Sequence, residues 1–252
     1  MNRNFSTPAI IISLRPLGEN NSSVTLLTPI HGIFYATLYG GPKSKMKSLV
    51  SQWNSGIIWL YDNPEKKQTK ISDFEVKNYH STFTSSLYKY YAASLVAEIA
   101  IKTRCAGSND KCFKLVNGFL DGMDLCNEEQ SKVGLVRFLW RYIELLGLQP
   151  SAHCCGHCGK SFLDITFAND EISYYNSIDN CFVCSDCGEG QFPIKTHALQ
   201  YLSAISLLSP AEARRLQIDK EGYEQIRDIV FFLIENSIEH KLNTIEIGMG
   251  IL

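Results

Sequence analysis

The chain reads as an α+β protein: an N-terminal five-strand barrel of the OB type, an α-helical domain, and a four-cysteine ribbon inserted between helices. Three observations carry that reading. Five short apolar or alternating segments fall within the first eighty residues, with no long helical pattern between them. Beyond residue 80 the apolar period lengthens to that of a helix. Two Cys-x-x-Cys pairs, Cys155-Gly156-His157-Cys158 and Cys184-Ser185-Asp186-Cys187, then interrupt the helical part. The boundaries expected are 1–80 for the barrel, 81–152 for the first helical part, 153–192 for the ribbon and 193–252 for the second helical part.

Ala9–Leu14 opens the barrel and Ser23–Thr28 is a second strand. Pro29-Ile30-His31-Gly32 turns the chain into Ile33–Tyr39, a third strand rich in aromatic residues, which Gly40-Gly41-Pro42 breaks. Gly56–Tyr61 is the fourth strand, and Lys70–Val76 the fifth, alternating with period two. Five short strands without an intervening long helix fit a small closed barrel, the OB fold first. An SH3-like barrel has the same strand count, so pattern leaves the two open. Lys43, Lys45 and Lys47 alternate in what reads as a flexible loop between strands. Tyr35 and Tyr39 are read first as core or barrel-wall residues, and second as platforms for unpaired bases.

Phe83–Thr103 carries Leu87, Tyr90, Tyr91, Leu95 and Ile99 at helical spacing, and Lys111–Cys126 gives a second helix. Glu128–Leu146 is the clearest, with Leu135, Phe138, Leu139, Tyr142, Ile143 and Leu146 along one face. Gly147 ends it and Pro150 prevents resumption. After the cysteines come Thr196–Leu207, a helix opened by the capping box Ser209-Pro210-Ala211-Glu212, and Ile226–Ile238.

Two residues between paired thiolates let both sulfurs of a tight turn reach one small ion at about 2.3 Å, and two such turns complete a tetrahedron around zinc. Gly159 and Gly188 trail the pairs and supply the backbone freedom each turn needs. The intervening stretch offers two strand segments, Phe162–Phe167 and Ile172–Tyr175, split by Ala168-Asn169-Asp170. A structural zinc held by Cys155, Cys158, Cys184 and Cys187 is therefore expected. Cys181-Phe182-Val183-Cys184 is itself a Cys-x-x-Cys, and Cys154, His153 and His157 lie close by. The first set is preferred because each of its pairs carries a trailing glycine. Cys105, Cys112 and Cys126 fall in helical patterns as small apolar residues. A thioredoxin-like pair would follow a strand and open a helix, and no such unit precedes Cys155.

Composition excludes little by itself. The 252 residues are 45% hydrophobic and 20% charged, with net charge −2. Charge is unevenly spread: residues 1–80 hold nine Lys/Arg against five Asp/Glu, which places any polyanion-binding face in the first third. Met1–Phe5 has no apolar signal region and no eighteen-residue apolar run suggests a membrane span, so the expectation is a cytoplasmic chain with reduced thiols. No Gly-x-Ser-x-Gly elbow, P-loop or HExxH motif occurs. Four thiolates would close the metal shell, and neither a His-x-Glu unit nor a Pro-Cys-x-x-Cys occurs as a deaminase requires, Cys155 following Cys154 and not a proline. The chain is expected not to be an enzyme.

These parts in this order resemble the RecO family of recombination mediators over nearly the whole chain. The resemblance rests on Gly18–Ser22 before Val24–Gly32, on the Gly-rich basic segment Tyr39–Lys47, and on Leu145-Leu146-Gly147-Leu148-Gln149-Pro150 ahead of a four-cysteine ribbon. Trp53-Asn54 stands where a Q-P-F-like element is usual, and the tail His240–Ile245 is less basic than family tails. The resemblance implies a non-catalytic protein of DNA repair. It would bind single- and double-stranded DNA, anneal complementary strands, bind the single-strand-binding protein and pair with RecR to load recombinase, associating with the nucleoid when active. Arg15, Lys43, Lys45 and Lys47 are the expected phosphate contacts, since ammonium and guanidinium groups displace counterions from the backbone. Arg104, Arg137 and Arg141 are candidates to hold the terminal carboxylate of an acidic partner tail. The alternative is an interaction adaptor that binds the single-strand-binding protein without touching DNA.

Overall fold

The computed structural model describes residues 3–40, 44–163, 171–188, 190–238 and 241–252. Gly41, Pro42 and Lys43, most of the expected strand Phe162–Phe167, the turn Ala168–Asp170 and His240 lie outside them. The chain forms two compact units, residues 1–131 with 240–252, and residues 132–239.

In the first unit, β1 (Asn4–Leu17), β2 (Asn21–Thr28) and β3 (Gly32–Leu38) run as a meander. A short helix α1 (Lys45–Leu49) follows, then β4 (Ser55–Asn63) and β5 (Gln68–Asn78). The strands close in the order β1-β2-β3-β5-β4, with β4 returning to β1. A continued meander would pair β3 with β4. Instead β3 meets β5 in parallel at Thr37–Lys70, and this Greek-key closure decides for the OB-type barrel.

The barrel interior is Ala9, Ile11, Val24, Leu26, Ala36, Leu38, Ile58, Leu60, Ile71 and Phe74. Ile10 and Ile12 are also fully buried, so β1 is apolar on both faces in mid-strand. A bulge between Ile11 and Ser13 bends β1, letting its first half pair with β4 and its second with β2. The segment expected as a flexible loop is corrected at Lys45–Leu49: Met46 and Leu49, three residues apart on α1, pack on the barrel core, and Val50 is buried there. Tyr35 and Tyr39 do not join that core. They are 60% and 42% exposed, because Phe34, Ala36 and Leu38 take the inward positions of an alternating strand.

Helices α2 (Leu87–Thr103) and α3 (Asn109–Leu125) are N-capped by Ser86 and Ser108, whose hydroxyls accept from Lys89 and Lys111 N–H. A 3-10 turn, Ser81–Thr84, precedes α2, so the helix starts four residues later than its apolar spacing suggests. α3 packs on β2 and β3. Glu98 on α2 accepts from the N–H groups of Asn243 and Thr244, tying the C-terminal segment to α2.

His80 joins barrel to helices. Its Nδ1 lies 2.7 Å from the Trp53 carbonyl and its Nε2 2.7 Å from Asp121 Oδ1 on α3. Both partners only accept, so both ring nitrogens must donate and the ring is an imidazolium. Burial disfavours that charge, but the Asp121 carboxylate and the Trp53 carbonyl outweigh it and raise the His80 pKa. Asn78 and Asn117 donate to the Asp121 carboxylate and fix its orientation.

α4 (Glu128–Leu145) leads into the second unit. There β6 (Ile172–Asn176), β7 (Cys181–Cys184) and β8 (Phe192–Lys195) form an antiparallel sheet in the order β7-β6-β8. α5 (Thr196–Leu207), α6 (Pro210–Ala213) and α7 (Lys220–Asn236) follow, and in the first unit α8 (Asn243–Ile247). The capping box at Ser209–Glu212 is formed, though it opens only one turn. α7 begins at Lys220 with Asp219 as its cap, a turn and a half ahead of the expected Ile226. The small sheet has little core of its own. Tyr175 and Phe192 meet Phe232 of α7, and Tyr175 also meets Phe182, in one aromatic cluster. Among the described residues no helix is long and apolar enough to cross a membrane.

Because folding raises the His80 pKa, its contribution is present below the unfolded value near 6.5 and fades as pH climbs through the folded value. Thermal melts should therefore show a loss of stability from about pH 6 upward that Asp121→Asn removes, at a cost of roughly 1–3 kcal/mol at pH 6. Equal melts of the two proteins across that range would exclude the charged bridge.

Candidate functional site

Two arrangements carry chemistry. In the first, Cys155, Cys158, Cys184 and Cys187 bring four sulfurs within 4.8 Å of one another. Cys155 and Cys184 are buried, Cys187 is half-buried and Cys158 exposed. Each pair sits on a tight turn: Gly159 N–H donates to the Cys155 carbonyl at 3.0 Å, and Cys187 N–H to that of Cys184 at 3.0 Å. Gly159 and Gly188 adopt φ of +75° and +139°, which a side chain would resist. The bridge Cys154–Ser161 and the bond from Phe162 N–H to the His153 carbonyl frame the first turn. β7, paired with β6, ends at Cys184 and so carries the second.

Cys158 Sγ lies 3.7 Å from Cys184 Sγ. Four sulfurs at about 2.3 Å from one zinc ion would be separated by about 3.8 Å along each tetrahedral edge. The donor set thus fits a closed four-thiolate metal shell. Electrostatics point the same way. Burial works against a Cys155 thiolate, but the backbone around Cys158, Cys184 and His157 directs hydrogen bonds at the sulfur and brings its pKa down to about 6. Cys184 N–H is one such donor, at 3.4 Å. Cys187 moves the other way: hydrogen bonding with Cys158 and Cys184 pushes it up to about 12. The thiols cannot all ionise together without a cation, and a bound divalent ion removes that conflict.

The neighbouring donors are engaged elsewhere. His153 Nδ1 is 2.7 Å from Ser203 Oγ, and Cys154 and Cys181 lie outside the four-sulfur group. Cys105 and Cys112 are buried as expected, while Cys126 is half-buried.

The second arrangement lies on the outside of the barrel. Arg15, Ser23, Thr37 and Lys70 are successive partners across β1, β2, β3 and β5. At about 4.8 Å per strand, this row runs some 14 Å across the sheet. Tyr35 and Tyr39 stand two residues to either side of Thr37 on the same face, with Thr25 beside Tyr35. The Lys70 ammonium sits 4.9 Å from the Tyr39 ring centre, and Gln68 donates to Thr37 Oγ1. In the sequence Lys70 is only one of the nine Lys/Arg of residues 1–80. Only strand pairing sets it in line with Arg15, although burial of Ile71 next to it was the local sign that Lys70 faces out.

The lysine run is not the ladder its alternation suggests. Lys45 is exposed and Lys47 half-buried on α1, and two residues apart on a helix diverge by about 200°. Lys43 lies outside the described residues. Arg104 caps α2 in a left-handed conformation and is exposed. Arg137 donates to Tyr201 Oη at 2.6 Å and to the Leu216 carbonyl, and Arg141 to the carbonyls of Ile205 and Leu208 at the end of α5. Both guanidinium groups therefore already serve carbonyls and a hydroxyl of their own unit, and burial lowers the Arg141 pKa.

Loss of one thiolate should release the metal and unfold the ribbon, since binding and folding free energy are the same quantity in such sites. Cys155→Ser and Cys184→Ser should lose the tightly bound metal in elemental analysis of purified protein, while Cys154→Ser keeps it. The reverse pattern would reassign the ligands.

Residues 84–245 match the family described as "Recombination protein O C terminal". A DNA repair protein RecO of Dehalococcoides mccartyi is 25% identical over 244 residues, covering 92% of this chain and 91% of that protein. One of Desulfatibacillum aliphaticivorans is 24% identical, covering 89% and 88%, and one of Moorella thermoacetica is 20% identical, covering 95% and 88%. The similarity thus runs through barrel, helices and ribbon alike, and the chain belongs to the recombination protein O family.

Proposed function

We propose that this chain is a non-catalytic DNA-binding mediator of recombination and repair, which anneals single strands and cooperates with RecR in loading recombinase. The observation that carries the proposal is the outward-facing row Arg15–Ser23–Thr37–Lys70, exposed at Arg15, half-buried at Ser23 and Lys70 and buried at Thr37, with the exposed Tyr35 and Tyr39 beside it, on a barrel type that binds oligonucleotides through this side of strands 2 and 3. Cations at both ends of the row meet phosphates while the tyrosine rings accept unpaired bases, a combination tolerant of sequence. Lys43, Lys45 and Lys47 extend the positive charge from the β3–β4 connection. Residues 1–80 then serve as the nucleic-acid module, and residues 153–192 as a scaffold whose Cys155, Cys158, Cys184 and Cys187 hold one structural zinc ion.

Partner binding forms the second half of the proposal. Tyr90 on α2 and Ile247 and Met249 near the C-terminus are large and exposed, and Gly248 between the latter two packs on Tyr91. Such apolar side chains suit the tail of the single-strand-binding protein, with Arg104 as the available cation in the same unit. Arg137 and Arg141 would have to give up present bonds to serve. Should the protein bind that tail and no DNA, it is the adaptor.

Three phosphate contacts on a single strand give a log-affinity against log-salt slope of roughly −2, at about 0.7 per contact. Arg15→Ala with Lys70→Ala should flatten the slope by about 1.4 by the same rule and impair annealing in parallel, leaving metal content and melting unchanged. Tyr35→Ala should weaken single-strand binding by about 1–3 kcal/mol with the slope intact. A slope that responds only to Lys43→Ala, Lys45→Ala and Lys47→Ala together would move the face to the β3–β4 connection. Unaltered binding by both sets would refute an electrostatic barrel face.

A further inference from the structure

Beside the four-sulfur group lies a second constellation of metal-binding donors. His157, Asp179 and Cys181 bring an imidazole nitrogen, a carboxylate oxygen and a sulfur within 4.8 Å of one another. None of them belongs to the four-thiolate shell. They come from two places that the fold holds together: His157 is in the first cysteine turn, Asp179 in the turn between β6 and β7, and Cys181 starts β7.

Several contacts pre-position the three. Gly156 N–H donates to the Phe182 carbonyl at 2.8 Å, clasping the first turn to β7. The approach is so close that a Cβ at residue 156 would fall 2.6 Å from Cys181 Sγ, so a side chain there would displace the sulfur. Asp179 is set by Asn176, whose Oδ1 accepts from Ile178 and Asp179 N–H and whose Nδ2 donates to Asp179 Oδ2 at 3.0 Å. That carboxylate oxygen also lies 3.1 Å from His157 Nε2. His157 and Asp179 are exposed and Cys181 is half-buried, so the group is open to solvent on one side.

We propose that His157, Asp179 and Cys181 form a second metal site, exchangeable and distinct from the four-thiolate centre, for a borderline-soft divalent cation of the zinc class. Thiolate and imidazole together select against magnesium and calcium, which prefer all-oxygen shells. A neutral imidazole, a carboxylate and a thiolate balance the charge of one divalent ion. On entry the Cys181 thiol releases its proton to solvent, and the imidazole proton moves from Nε2 to Nδ1 as the cation replaces the Nε2–H···Oδ2 bond. Three protein donors leave a fourth position for water, unlike the closed shell next to it. Asn176, bonded to Asp179, orients the carboxylate from behind. Occupancy would fasten the β6–β7 turn to the first cysteine turn and stiffen the ribbon only when free metal is plentiful.

The test uses full-length protein carrying its tight zinc, dialysed against increasing cobalt(II). One further equivalent should bind, with a thiolate-to-cobalt charge-transfer band of single-thiolate intensity, and the melting temperature should rise with free cobalt. Cys181→Ser should abolish the band and the extra equivalent while retaining the tight zinc. Asp179→Asn, a change confined to the surface, should weaken cobalt binding at least tenfold. Exchange at the four-thiolate centre would show the much stronger tetrathiolate spectrum, so the two sites are told apart. A wild-type protein that takes up no second equivalent, or an extra equivalent that persists unweakened in Cys181→Ser and Asp179→Asn, overturns the proposal.

Discussion

Everything in the first unit hangs on β1. Its residues from Asn4 to Ile10 pair with β4 and those from Ile10 to Leu17 with β2, so one strand supplies both flanks of the closure. A straight strand cannot do this, and the bulge at Ile11–Ser13 provides the bend. Trp53 N–H donates to the Ile11 carbonyl and Ile11 N–H to the Asn54 carbonyl, so the bend is also where the chain enters β4. His80 takes the Trp53 carbonyl in turn and passes the connection to Asp121 on α3. Ile10, Ile11 and Ile12 are buried in succession because the inner side of β1 fills the barrel while its outer side is covered. Polar substitution at any of the three would strand a group without partners on one side or the other.

Closure also decides which residues share the outer surface. A closed sheet has no free edge, so what it presents is its outer surface. The parallel contact at Thr37–Lys70 adds β5 to that surface and sets a lysine in line with Arg15. α1 matters in a different way. It packs Met46 and Leu49 against the barrel core, and so spreads Lys45 and Lys47 around a helix instead of along a ladder. A chain of net charge −2 can present a polyanion with a favourable surface only by such local concentration.

The second unit solves another problem, that of holding a three-stranded sheet with scarcely any core. Aromatic packing on Phe232 anchors one side. The other side carries the four sulfurs, where Cys155 is brought down to about 6 and Cys187 is pushed up to about 12, a group that could hold a cation. Lys160, following the first cysteine turn, pairs with Glu171 and lies near Asp186 at its edge, which keeps exposed charge around the sulfurs balanced.

The sequence by itself determined what local periodicity and chemistry can determine. Short apolar runs or alternation marked all five barrel strands, helical patterning marked α2 to α5, and the trailing glycines singled out four of nine cysteines, because each signal is written within a few residues of itself. It could not show that β3 meets β5, because Thr37 and Lys70 are brought together only by closure. The helical nature of Lys45–Leu49 was hidden for a related reason: a single turn has too few residues to show a period, and its stability comes from Met46 and Leu49 entering the barrel. Arg137 and Arg141 look like free helix cations until folding brings the Tyr201 hydroxyl and Leu216 carbonyl to the first and the Ile205 and Leu208 carbonyls to the second. Cys181 and His157 look like spare ligands until the clasp at Gly156 sets them beside Asp179. In each case the deciding contact joins residues far apart in the chain, and only the packed tertiary structure fixes which of them meet.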